Sequence, residues 1–186
     1  MVVNPKKYQK GVDWCVDSAL ELIYDATVSV GNQLERQGLF SFFKSKLGLW
    51  EVNDQQISKT IYQLKRQKYI EFDNSDSVVF TNKAKIKVIE KIVSDNSKGE
   101  RNRLVSFDIP ESRRTRRDKF RRAIKRMGFR QIQKSLWVSN IDVGDLVEAA
   151  ATEYEVNQYV AYFVAEKSNI DNYIIGLLDG SHDEVE

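Results

Sequence analysis

Between Arg103 and Lys134 the chain reads RLVSFDIPESRRTRRDKFRRAIKRMGFRQIQK and runs on into SLWVS. These residue types offer one chemistry above all. Dense guanidinium and ammonium groups bind phosphate by displacing the counterions condensed on a nucleic acid. Thirteen Lys or Arg stand against Asp108, Glu111 and Asp118 between Arg101 and Lys134, and nine bases against one acid between Arg113 and Arg126. Like charges crowded on one helix repel, and a polyanion relieves them. Nothing in the stretch resembles a pocket for a small substrate.

Other chemistries are closed. His182 is the only histidine, which excludes a histidine base or a multi-histidine metal site. Cys15 is the only cysteine, so neither an intrachain disulfide nor a thiolate zinc cluster is available. No cofactor is expected. The start MVVNPKKYQK lacks the apolar run of a signal peptide and no stretch approaches a membrane span, so a cytoplasmic protein with no membrane partner is expected. The net charge of +2 hides the asymmetry, because the tail SHDEVE is acidic. Asp108 lies near Arg113 and Arg116, which a helical wheel sets on the side of Phe120. An Asp–Arg cluster fastening helix to strand is the expected role of that carboxylate.

The elements that position these groups fall into two modules, separated at the polar run SDNSKGE. The expected division is 1–94, a linker at 95–100, a second domain at 101–167 and a tail at 168–186 with a short helix. In the first module, apolar spacing predicts a helix from about Val12 to Val30 through Ala19, Leu20, Leu22, Ile23 and Ala26. A second covers Leu39 to Leu47, with Phe42, Phe43 and Leu47 as core candidates. A third, capped by Asn53 or Asp54, buries Ile57, Ile61 and Leu64. Its opposite side carries Gln56, Lys59, Gln63 and Arg66, flanked by Gln55 and Tyr62. YIEF and SVVF around DNSD predict a hairpin, with acidic Asp73 and Asp76 at its tip. TNKAKIKVIEKI resumes helical spacing through Ala84, Val88, Ile89 and Ile92.

That order is the order of a winged helix-turn-helix, whose third helix fits the DNA major groove. The second module reads β (Arg103 to Ile109), α (Glu111 to Met127), β (Phe129 to Lys134), β (Leu136 to Ser139), α (Val143 to Tyr154), β (Tyr159 to Ala165). This is the βαββαβ order of a ferredoxin-like fold. Its first helix buries Phe120, Ala123, Ile124 and Met127, and its outer stripe is Arg114, Arg117, Arg121 and Lys125, with Arg122 and Arg126 farther round. NYIIGLL predicts a helical turn docking on a neighbour. The fold class is therefore α+β.

LVSFDIPESRRTRRDKFRRAIKRMGFRQIQKSLWVS resembles the central domain of PaaX-type transcriptional repressors. In that family an Asp-Pro strand end, an Arg-rich helix, a Gly-Phe turn and a Gln-Lys-Ser-x-Trp segment follow in this order. The domain is similar in turn to the small ferredoxin-like nuclease of CRISPR spacer acquisition, which is a two-fold dimer. The first module fits the PaaX plan of a leading winged helix. The family usually continues into a further C-terminal domain, so sensing of an aryl-coenzyme A thioester is not carried over to this chain.

The resemblance and the charge together imply a prokaryotic, nucleoid-associated DNA-binding regulator. It would act as a repressor-like homodimer on an inverted repeat of double-stranded DNA, with no chemical step. Lys59, Gln63 and Arg66 would contact the groove with Gln55, Gln56 and Tyr62 beside them. Arg114, Arg117, Arg121 and Lys125 would position the backbone. Two other classes remain open. One is a metal-dependent nuclease or CRISPR-adaptation component with Asp108 as ligand, the position the resemblance to the CRISPR nuclease implies. The other is a nonspecific DNA-bridging protein.

Overall fold

The computed structural model describes residues 16–30, 34–46, 54–96 and 98–179. Cys15, Leu47, Asn53, His182 and the acidic tail lie outside the described residues. Within them the protein divides into two compact units, Met1–Val88 and Ile89–Glu186.

The first unit contains α1 (Val16–Val30), α2 (Arg36–Lys46), α3 (Asp54–Arg66), β1 (Ile70–Phe72), β2 (Val78–Phe80) and α4 (Asn82–Lys87). It has the element order read from the sequence. Ala19, Leu20, Leu22, Ile23 and Ala26 recur on one stripe of α1 and are all buried, against Leu39 and Phe43 of α2 and Ile57, Ile61 and Leu64 of α3. Phe42 is only half-buried. Burial of each large side chain contributes roughly 1.5–3 kcal/mol, which holds helices too short to persist alone. β1 and β2 pair antiparallel, Ile70 opposite Phe80, and a single bridge between Glu35 and Ser77 lays the α1–α2 connection along β2.

The helix expected through Ala84 and Ile92 is two helices. Val88 leaves helical geometry (φ −103, ψ 28) and ends α4, and α5 (Ile89–Asp95) starts the second unit. All four residues predicted to face inward, Ala84, Val88, Ile89 and Ile92, are buried. Thr81 caps α4, its hydroxyl accepting from the Ala84 N–H at 3.2 Å.

The second unit adds β3 (Lys98–Phe107), α6 (Arg114–Arg126), β4 (Arg130–Gln133), β5 (Leu136–Ile141), α7 (Gly144–Glu153), β6 (Val160–Ala165) and α8 (Asp171–Leu178). The polar run expected as a linker over 95–100 instead ends α5 and begins β3, where Lys98 pairs with Ile141 across an irregularity before Arg103. The sheet runs β4-β5-β3-β6, antiparallel throughout. This is the strand order of a ferredoxin-like fold, with β4 and β6 at the edges.

Side chains alternate across β3. Val105 and Phe107 face the helices, and Phe107 meets Phe120 of α6 edge-on at 5.4 Å. Leu104 faces the other way, where Ile174 and Leu177 of α8 pack on Val138 and Ile132. NYIIGLL is expected to dock on a neighbour that the sequence does not name, and that neighbour is the sheet itself, along β4 and β5.

Arg103 is buried at the sheet's end. It donates to Asp142 at 2.9 Å and to the Arg101 carbonyl at 2.8 Å. The bond to Asp142 raises the guanidinium's pKa further, and the bond from Arg103 holds the Asp142 carboxyl below the ordinary carboxylate range. Among the described residues no helix is long and apolar enough to cross a membrane.

Candidate nucleic-acid interface

Helix α3 turns one apolar stripe inward and a wholly different face outward. Asp54 in its first turn and Lys65 and Arg66 in its last complement the helix dipole. The end is a Schellman turn: the Tyr69 N–H reaches the Leu64 carbonyl, the Lys68 N–H reaches Lys65, and Lys68 takes φ 58. With Ile57, Ile61 and Leu64 buried, Gln55, Lys59, Tyr62, Gln63 and Arg66 are exposed, Tyr62 by 66%.

The wheel drawn from sequence needs one adjustment here. Gln55 and Tyr62 stand in the open face and Gln56 turns half-buried to its side, because the buried stripe is centred between Ile57 and Ile61. The helix's one acid, Asp54, is paired with Lys44 of α2 at 2.6 Å. The open face is polar, cationic and aromatic, without a carboxylate.

The two acids at the hairpin tip are occupied too. Asp73 Oδ1 accepts the N–H of Ser75 at 2.8 Å and of Ser77 at 2.9 Å, which closes the turn. Asp76 pairs with Arg36 at 2.8 Å, and that guanidinium lies 4.4 Å over the Phe72 ring. The tip therefore repels phosphate less than its composition suggests.

On α6 the cations separate into held and open groups. Arg116 pairs with Glu155 at 2.6 Å, Arg117 with Glu111 at 2.8 Å and Arg126 with Glu90 of α5 at 2.7 Å. Arg113 donates to the Glu155 carbonyl at 3.1 Å and lies over Tyr159. Arg114 is loosely placed between Glu111 (3.8 Å) and Asp118 (4.0 Å). Lys119, Arg121, Arg122 and Lys125 have no ion pair among the described residues, and all but half-buried Arg121 are exposed. Of the four stripe residues picked from sequence, Arg121 and Lys125 are the open pair. Gly128 at φ 87 ends the helix, with the Phe129 N–H on the Ile124 carbonyl.

Asp108 differs from expectation. Arg113 and Arg116 go to residue 155 instead, and among the described residues the Asp108 side chain, exposed, has no hydrogen bond or ion pair. Its backbone N–H bonds the Tyr159 carbonyl at 3.0 Å. The left-handed turn at Glu155 (φ 54) brings that residue to the arginines, a placement no spacing rule reveals. Among the described residues no three His, Cys, Asp or Glu side chains gather to hold a metal ion.

Sequence reasoning also missed a cleft of about 660 Å³ around β4, lined by Arg121, Arg122, Lys125, Arg130, Lys134 and Trp137 among others. Its only sequence signal was the extension of the basic run beyond the helix, to Arg130 and Lys134.

A four-stranded antiparallel sheet of βαββαβ order, carrying an arginine-rich first helix, defines the class of the second unit: a ferredoxin-like domain with a cationic helix. Residues 97–173 match the family model of the PaaX protein central Cas2-like domain, which puts this unit in the PaaX-type family. No curated protein and no solved structure matches the chain.

Proposed function

We propose that the protein is a sequence-specific DNA-binding regulator of PaaX type, acting as a homodimer on an inverted repeat. The observation that carries this reading is the outward face of α3. Gln55, Lys59, Tyr62, Gln63 and Arg66 stand exposed and free of acids, on a helix followed by a hairpin whose tip carboxylates, Asp73 and Asp76, are occupied. Glutamine side chains suit adenine edges, and Lys and Arg suit guanine edges or phosphates. In this reading the first unit is a winged helix-turn-helix with α3 in the major groove. The open cations of α6 hold backbone phosphates without reading sequence. Edge strand β6 supports pairing of two copies through the second unit, since Phe163 and Val164 on it are about half exposed. No covalent step is involved, and the protein works in the cytoplasm.

A footprint on the DNA upstream of the protein's own gene tests the reading. A sharp, two-fold symmetric protected site is expected, and it should vanish in Lys59→Ala/Gln63→Ala. Protection spread evenly over any duplex would instead indicate a nonspecific bridging protein.

The Asp108 carboxylate, without a hydrogen bond or ion pair among the described residues, favours a second reading, a metal-dependent nuclease in which two protomers each supply one Asp108. Strand cleavage that requires Mg²⁺ and disappears in Asp108→Ala would establish it. Its absence in a preparation that footprints its site would leave the regulator.

A further inference from the structure

Among the described residues edge strand β4 has β5 on one side only, and the cleft runs along its free edge between the C-terminal half of α6 and α8. Five cations line it. Arg121, Arg122 and Lys125 come from α6, and Arg130 and Lys134 from β4 and the turn after it. None of the five has an ion pair among the described residues. Asp118 is the only acid in the lining, and its carboxylate lies 4.0 Å from Arg114. Cations crowded on one short strand edge repel one another until anions join them.

Acids follow directly on the wall of the cleft. Tyr173 and Leu177 of α8 line it, and α8 ends at Leu178. From Asp179 to Glu186 the sequence DGSHDEVE holds four acids and no Lys or Arg. Asp179 is exposed, with its N–H on the Ile175 carbonyl at 3.0 Å, so the chain departs two residues beyond a lining residue. Residues 180–186 span up to about 24 Å when extended, against roughly 14 Å for the four residues of β4. An anionic segment tethered this close acts at an effective concentration on the order of millimolar, which favours it over an anion from solution.

We infer that residues 180–186 lie along the free edge of β4, with Asp183, Glu184 and Glu186 against Arg122, Arg130 and Lys134. The chain's own acids then shield this edge, and a duplex held there without regard to sequence must displace them. That consequence rests on the DNA-binding reading above, and the contact itself does not. Exposed ion pairs are individually weak and screened by salt, so the cover yields to a competing polyanion instead of locking the edge.

The test uses the full chain labelled with nitrogen-15, and its first arm needs no DNA. His182 is the only histidine, so its imidazole signal reports on the segment without ambiguity, beside the amide signals of 180–186. Arg130→Gln/Lys134→Gln, both at exposed positions, should shift these signals, and added salt should shift those of wild type in the same direction. Signals that the double variant leaves in place overturn the inference. A shift that depends on protein concentration would put the segment on a second copy, and overturns it too. The second arm measures affinity for a scrambled duplex at fixed salt. Asp183→Asn/Glu184→Gln/Glu186→Gln should tighten it about tenfold, roughly twofold for each exposed pair released. That gain should be largely lost in the Arg130→Gln/Lys134→Gln background. An equal gain in both backgrounds would assign the effect to net charge and overturn the shielding. A chain that shows the signal shift and binds no duplex would refute the proposed function and uphold the contact.

Discussion

Neutralising Arg121 and Lys125 together should flatten the salt dependence of DNA binding, and the structure says by how much. A phosphate approaching Arg116, Arg117 or Arg126 must first displace Glu155, Glu111 or Glu90. Arg121 and Lys125 have no such competitor among the described residues. Each cation that neutralises a duplex phosphate contributes about 0.9 to the slope of log affinity against log salt. Arg121→Gln/Lys125→Gln should therefore reduce that slope by about 1.8 per bound protomer, which is roughly a tenfold smaller loss of affinity over a fourfold rise in salt. Arg116→Gln, removing a cation already held by Glu155, should leave the slope within error. Fluorescence anisotropy with a labelled duplex at several salt concentrations measures all three proteins. An unchanged slope in the double variant, or an equal change in Arg116→Gln, would refute the division of α6 into held and open charges.

Four further outcomes follow from the geometry. Lys68→Gly should stabilise the protein by roughly 0.5–1 kcal/mol, relief of left-handed strain less glycine's entropy, while Gly128→Ala should cost about 2 kcal/mol; denaturant melts read both. The added Cβ at Gly128 would lie 3.0 Å from Ile141 Cδ1. Because the folded Asp142 carboxyl is depressed by Arg103, its stabilisation is complete above about pH 3.9 and is lost as pH falls through the lower folded value. Acid titrations of Asp142→Asn should lack that component, and an unaltered acid limb would contradict it. Phe163→Glu should shift the protein from dimer to monomer in sedimentation while leaving its helical signal intact; a dimer that persists would move the pairing surface away from β6.

The elements of both units were legible because their apolar residues recur at strict periods. Phe120, Ala123, Ile124 and Met127 mark α6, and Ile57, Ile61 and Leu64 mark α3, and all are buried as read. Boundaries were less legible. Val88 breaks a helix whose apolar spacing continues unbroken into α5, and SDNSKGE looked like a loop although its last three residues begin β3, where Lys98 pairs with Ile141 of the neighbouring β5. The candidate interface was legible as a charge density and not as a set of usable charges. Glu90 and Glu155 lie far in sequence from the arginines they hold, so spacing along α6 could not distinguish Arg116 from Arg121. The cleft escaped notice for a similar reason, since it forms only where a strand edge, a helix end and α8 meet.

The central claim is that the α3 face reads DNA sequence. It is tested most directly by the ratio of affinities for the footprinted site and for a scrambled duplex of equal length, measured at one salt concentration. Wild type should favour its site strongly, and Lys59→Ala/Gln63→Ala should reduce that ratio by about 1–3 kcal/mol for each lost base contact while binding scrambled DNA nearly as before. A ratio near one in wild type, or one that the double variant leaves unchanged, would contradict the account.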